Sequence, residues 1–67
     1  MLTIEFNGQE KKVELGLTIA ELLIESKVES RFCAVELNLE IVTKDLYATT
    51  QLAEGDRIEV VTLVGGG

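Results

Sequence analysis

Glu54-Gly55-Asp56-Arg57-Ile58-Glu59-Val60-Val61-Thr62-Leu63-Val64-Gly65-Gly66-Gly67 is the stretch on which the reading of this chain turns. Glu54-Gly55-Asp56 is a turn signal, a glycine between two polar residues. Arg57 to Val64 is the strongest strand of the chain, rich in β-branched residues. Ile58 and Val60 alternate with Arg57 and Glu59, so they are expected to face a core. Val61 and Leu63 then point outward by the same alternation. Apolar side chains on the solvent side of a strand are candidate partner contacts. A bulge, or a second buried face beneath residues 44–52, would account for them equally well. The strand runs without a spacer into three glycines.

The start of the chain reads as a β-hairpin. Leu2, Ile4 and Phe6 alternate with Thr3 and Glu5, the pattern of a strand with one buried side. Asn7-Gly8 is the favoured pair for a type I′ hairpin turn, since both residues tolerate positive φ. Val13 and Leu15 continue the alternation in the returning strand. Gly16 breaks it, and Thr18-Ile19-Ala20-Glu21 reads as a capping box with Leu17 and Leu22 placed as a hydrophobic staple. Ile19, Leu22 and Leu23 form one helical face, so a helix is expected from about Ile19 to Lys27. Phe32 to Leu37 reads as a short buried strand and Glu40 to Thr43 as another, with Asn38-Leu39 as the tight turn between them. Residues 44–52 have no clean period, and one short helical turn within a loop is expected there. A hairpin, one helix, two short strands and a long last strand make an α+β domain, a small mixed sheet with one main helix packed on one face. The domain is expected over residues 1–64, with a flexible glycine tail over 65–67.

The totals narrow the function classes. The chain has 67 residues, enough for one small domain with a thin core. Its single cysteine, Cys33, cannot form an internal bridge, which fits a reducing cytoplasm. Cys33 lies in the apolar run Phe32-Cys33-Ala34-Val35 and reads as core filler, with a reactive thiol as the alternative. The net charge of −6 opposes binding to nucleic acid and to anionic membrane surfaces. It favours a protein partner with a basic or apolar docking face, or simply keeps a small domain soluble. The first fifteen residues interleave apolar and charged side chains, unlike a signal peptide. No apolar run approaches the roughly 20 residues that span a bilayer.

Catalytic sets are missing. The sequence contains no histidine, so it has no Ser-His or Cys-His pair and no imidazole metal ligand. No Gly-rich phosphate loop joins a strand to a helix. Of the six glycines, Gly8, Gly16 and Gly55 fall at expected turns, whereas Gly65, Gly66 and Gly67 are consecutive. Glycine suits a terminus threaded into an enzyme, because without Cβ it passes a narrow channel. Three residues reach about 10 Å beyond the strand. The same three glycines also fit a frayed end or an artificial linker.

The hairpin Leu2-Thr3-Ile4-Glu5-Phe6-Asn7-Gly8, the segment Ala34-Val35-Glu36-Leu37-Asn38 with Glu40-Ile41-Val42, and above all 54–67 resemble the ThiS family of sulfur carriers in thiamine biosynthesis. The resemblance covers the whole chain and implies the β-grasp fold of ubiquitin. It implies that Gly67 is adenylated by a ThiF-type activating enzyme using ATP and Mg, then converted to a thiocarboxylate. That group gives its sulfur to thiazole synthase, ThiG, after a sulfur donor protein has supplied it. Gly65 and Gly66 complete the tail motif, and the chain is a carrier and co-substrate that binds no cofactor of its own. Two positions depart from the pattern: Leu39 stands where many relatives have glycine, and Tyr47 where many have tryptophan. A MoaD-like small subunit of molybdopterin synthase, a ubiquitin-like modifier and a plain protein-interaction module are the competing readings.

Overall fold

The computed structural model describes residues 1–62; the expected boundary between residues 64 and 65 lies outside them. Strands β1 (Leu2–Phe6) and β2 (Gln9–Val13) form an antiparallel hairpin with Phe6 opposite Gln9. Asn7 and Gly8 take φ values of 51° and 82°, the double positive φ of a type I′ turn. The helix α1 (Ile19–Glu25) follows, then a 3₁₀ turn (Ser30–Phe32), β3 (Cys33–Leu37), β4 (Glu40–Val42), a second 3₁₀ turn (Lys44–Leu46) and β5 (Arg57–Thr62). The sheet order is β2-β1-β5-β3-β4. The last strand is therefore the central one. It runs parallel to β1 and antiparallel to β3. This is the mixed β-grasp sheet with one helix.

The helix starts where the capping box predicts. The Thr18 hydroxyl accepts from the Glu21 amide at 3.2 Å, and the Glu21 carboxylate accepts from the Thr18 amide at 3.0 Å. Two further first-turn donors are satisfied from afar: the Ile19 amide donates to the Thr50 carbonyl and the Ala20 amide to that of Tyr47. The irregular stretch 44–52 is thus tied to the helix, with the Leu52 amide donating to the Leu17 carbonyl. Tyr47 and Leu52 enter the core from it, beside Ile4, Val13, Leu17, Ile19, Leu22, Leu23, Cys33, Val35 and Ile58. Burial raises the pKa of the Tyr47 hydroxyl above 10.0, nearby Cys33 adds to this, and a backbone hydrogen bond with Val35 opposes it.

Three local expectations are corrected. Strand β2 ends at Val13, and Leu15 is 82% exposed. The Leu17 amide closes a turn onto the Glu14 carbonyl at 3.2 Å, with Gly16 at φ 90°, so Leu15 sits at a turn corner and not on the sheet. The helix stops at Glu25, because Ser26 caps it and Lys27 takes φ 58°, ending two residues early. Phe32 belongs to the 3₁₀ turn and stands exposed, so the buried strand begins at Cys33.

Candidate functional site

The site suggested by the sequence is the end of β5. Leu63 and the tail residues Gly65, Gly66 and Gly67 lie outside the described residues. What the structure places is the platform beneath them. Ile58 is fully buried and Val60 packs against the core, so the inward side of β5 is anchored. Val61, on the opposite face, is 52% exposed. The irregular segment 44–52 is bonded to Leu17, Ile19 and Ala20 on the helix side of the sheet and does not bury it.

Cross-strand register defines the outward face around Val61. Val61 lies opposite Ala34, Glu59 opposite Glu36, and Glu36 opposite Ile41. Ile41 is 66% exposed. The face therefore carries apolar Val61, Ala34 and Ile41 around two directly opposed carboxylates. Like charges in such a pair are destabilising, by a fraction of a kcal/mol up to about 1 kcal/mol. Among the described residues neither Glu36 nor Glu59 has an ion-pair partner; Arg57, the cation on β5 beside Glu59, pairs with Glu5 at 3.3 Å. Arg31 is engaged by Glu29 at 3.3 Å and lies over the Phe32 ring. Cys33 is buried within the core, as expected of filler.

The edges of β5 are held by two side chains whose role was not visible in the sequence. The parallel ladder with β1 runs through the Glu5 amide to the Asp56 carbonyl and the Asn7 amide to the Ile58 carbonyl, each 2.9 Å. A continuing β1 would next present the Asn7 carbonyl to the Val60 amide. The chain turns away at Asn7, and its side-chain Oδ1 accepts from that amide instead, at 2.8 Å. Asn38 repeats the device on the other edge. Its amide donates to the Arg57 carbonyl at 2.8 Å, and its Oδ1 accepts from the Arg57 amide at 2.9 Å. Both asparagines begin a turn with φ near 50°. Asn38 Nδ2 also donates to Asp56, whose other oxygen accepts from the Ala53 amide, knitting the Glu54-Gly55-Asp56 turn to the strand. Asn-Gly announced the first turn, but Val60 lies 53 residues further on.

Among the described residues, no three acidic or thiol side chains gather in a metal-holding group, and no helix is long and apolar enough to cross a membrane.

The chain has informative relatives. It is 42% identical to a thiazole synthase of Paramagnetospirillum magneticum over 98% of this chain, but it spans only 20% of that protein's length. It is 37% identical to the sulfur carrier protein ThiS of Bacillus subtilis, over 96% of this chain and 98% of the relative. The crystal structure of thiamine biosynthesis protein ThiS from Geobacter metallireducens superposes with a TM-score of 0.86 at 30% identity, covering 98% of this chain and all of the other. A model of the ThiS family matches residues 3–67. With the five-stranded mixed sheet, the central last strand and these end-to-end matches in hand, the chain belongs to the ThiS family.

Proposed function

We propose that the chain is a sulfur carrier of thiamine biosynthesis, a co-substrate and not an enzyme, with Gly67 as the reacting residue. The observation that carries this reading is the end-to-end match to the Bacillus subtilis sulfur carrier. The chemistry follows from the carboxylate. A carboxylate is a poor acyl electrophile until it bears a leaving group. One terminal oxygen attacks the α-phosphorus of ATP, held with Mg by a ThiF-type enzyme, and pyrophosphate departs. The terminal sulfur of a donor protein's cysteine persulfide then adds to the acyl carbon and AMP leaves, giving an acyl disulfide. A second thiol attacks the donor's cysteine sulfur, a disulfide forms there, and the thiocarboxylate is released. Gly65 and Gly66 thread the enzyme's channel because they carry no side chain. Thiazole synthase takes the sulfur; its kinship with one-fifth of a thiazole synthase supports that partner. Val61 and Leu63 serve as docking contacts, and a basic patch on the partner faces Glu36 and Glu59. The reducing cytoplasm suits the thiol-level chemistry.

Intact mass spectrometry tests the reading. With a ThiF-type enzyme, ATP, Mg and a sulfur donor, the expected product is a form in which one oxygen is replaced by sulfur at Gly67. Recovery of the unmodified carboxylate alone overturns it. An isopeptide link to lysine on other proteins would identify a modifier instead, and transfer to a molybdopterin synthase large subunit would identify the MoaD-like alternative.

A further inference from the structure

We infer that Asn7 is a positioning residue for activation of the carrier, fixing β5 at Val60 within the strand that precedes the reacting end. This deepens the carrier reading and rests on it. Among the described residues, strand β1 pairs with β5 only at Arg57 and Ile58, whereas β3 accompanies β5 to Thr62. From Val60 onward, β5 is held along one edge by a strand and on the other by the Asn7 side chain. Among the described residues, the Asn7 Oδ1 bond to the Val60 amide is therefore the last tie on that edge. A strand held along a single edge is free to twist and splay, and twist is greater in narrow ribbons than in broad sheets. Asn38 bonds the same strand at Arg57, on the other edge and three residues further from the reacting end. The two asparagines use one device at two distances, so one serves as the control for the other.

Asn7→Gly is the informative variant. Glycine accepts the positive φ that the turn requires, so the hairpin is kept while the acceptor is lost. Asn7→Asp restores an acceptor at the same place. Two measurements are made on the full chain. Hydrogen exchange at the Val60 amide is expected to be about fivefold faster or more in Asn7→Gly, and close to wild type in Asn7→Asp. Steady-state activation by the ThiF-type enzyme, read as ATP–pyrophosphate exchange, is expected to show kcat several-fold lower in Asn7→Gly with KM unchanged, because the docking face is intact. Asn7→Asp is expected to restore kcat. Asn38→Gly is expected to lower the urea midpoint with kcat retained. An unchanged kcat in Asn7→Gly, a loss of kcat that Asn7→Asp does not restore, or an equal loss in Asn38→Gly overturns the inference. Absence of exchange with the wild-type chain overturns the carrier reading instead, and the Val60 exchange measurement stands apart from it.

Discussion

Tyr47 is the one tyrosine of the chain; its side chain is buried and its hydroxyl interacts with Cys33 and the Val35 backbone. Burial disfavours the phenolate, so the folded value lies above the 10.0 of the exposed group. A folded value above the unfolded one contributes stability that is full below the unfolded value and is lost as pH rises through the folded one. Stability of the wild type to urea is therefore expected to fall in alkali with a component that Tyr47→Phe lacks. Tyr47→Phe should cost about 1 kcal/mol near neutrality, through its lost hydrogen bond. The gap between the two proteins should narrow from about pH 10 upward. Parallel curves across that range would show that the hydroxyl is not desolvated in the fold. The sequence marked Tyr47 only as a departure from a family pattern; nothing local signalled its burial, because the segment around it has no period.

At the scale of the element, the β3–β4 hairpin keeps its turn despite a poorly suited residue. Asn38 and Leu39 take φ values of 52° and 72°, matching the Asn7-Gly8 turn in sign at both positions. Leucine in the left-handed region costs roughly 1–2 kcal/mol, whereas glycine adopts it without that penalty. Leu39 is exposed and contributes no core contact. Leu39→Gly is therefore expected to stabilise the domain by about 0.5–1 kcal/mol, after the greater freedom of glycine in the unfolded chain is counted. A higher urea midpoint at unchanged slope would be the signature; a lower midpoint would mean that the leucine supports the turn in a way its exposure hides. The turn persists because Asn38 binds both the backbone and the side chain of the neighbouring turn–strand segment, at Arg57 and Asp56. Tertiary bonds override an unfavourable local residue, so the departure at Leu39 leaves the element in place.

Across the whole molecule, an acidic chain presents an apolar face with two carboxylates set opposite each other. Like-charged groups are tolerated there where solvent screens them, and they are complemented when a basic surface docks. Val61→Asp adds a third negative charge and removes an apolar contact on this face. It is expected to weaken binding to the ThiF-type enzyme about tenfold. The urea midpoint should change little, since surface substitutions usually stay within about 0.5 kcal/mol. Titration calorimetry beside urea unfolding separates the two effects. Unchanged affinity would remove Val61 from the docking surface.

Sequence alone determined the elements whose cause is local. Alternation marked β1, a short apolar run marked β3, β-branched residues marked β5, Asn7-Gly8 marked the first turn, and Thr18 with Glu21 marked the start of the helix. It also determined which residues are candidates for the chemistry, by leaving Gly65 to Gly67 without a turn to explain them. Tertiary structure decided what depends on pairing between distant segments. Placing β5 at the centre requires β1, from the start of the chain, and β3, from its middle, to pair along its two edges. The burial of Tyr47 and Leu52 and the exposure of Leu15 follow from packing and turn geometry that no short period encodes. The part played by Asn7 was hidden for the same reason. A side chain that substitutes for a backbone carbonyl can be recognised only once the strand it serves has been brought beside it.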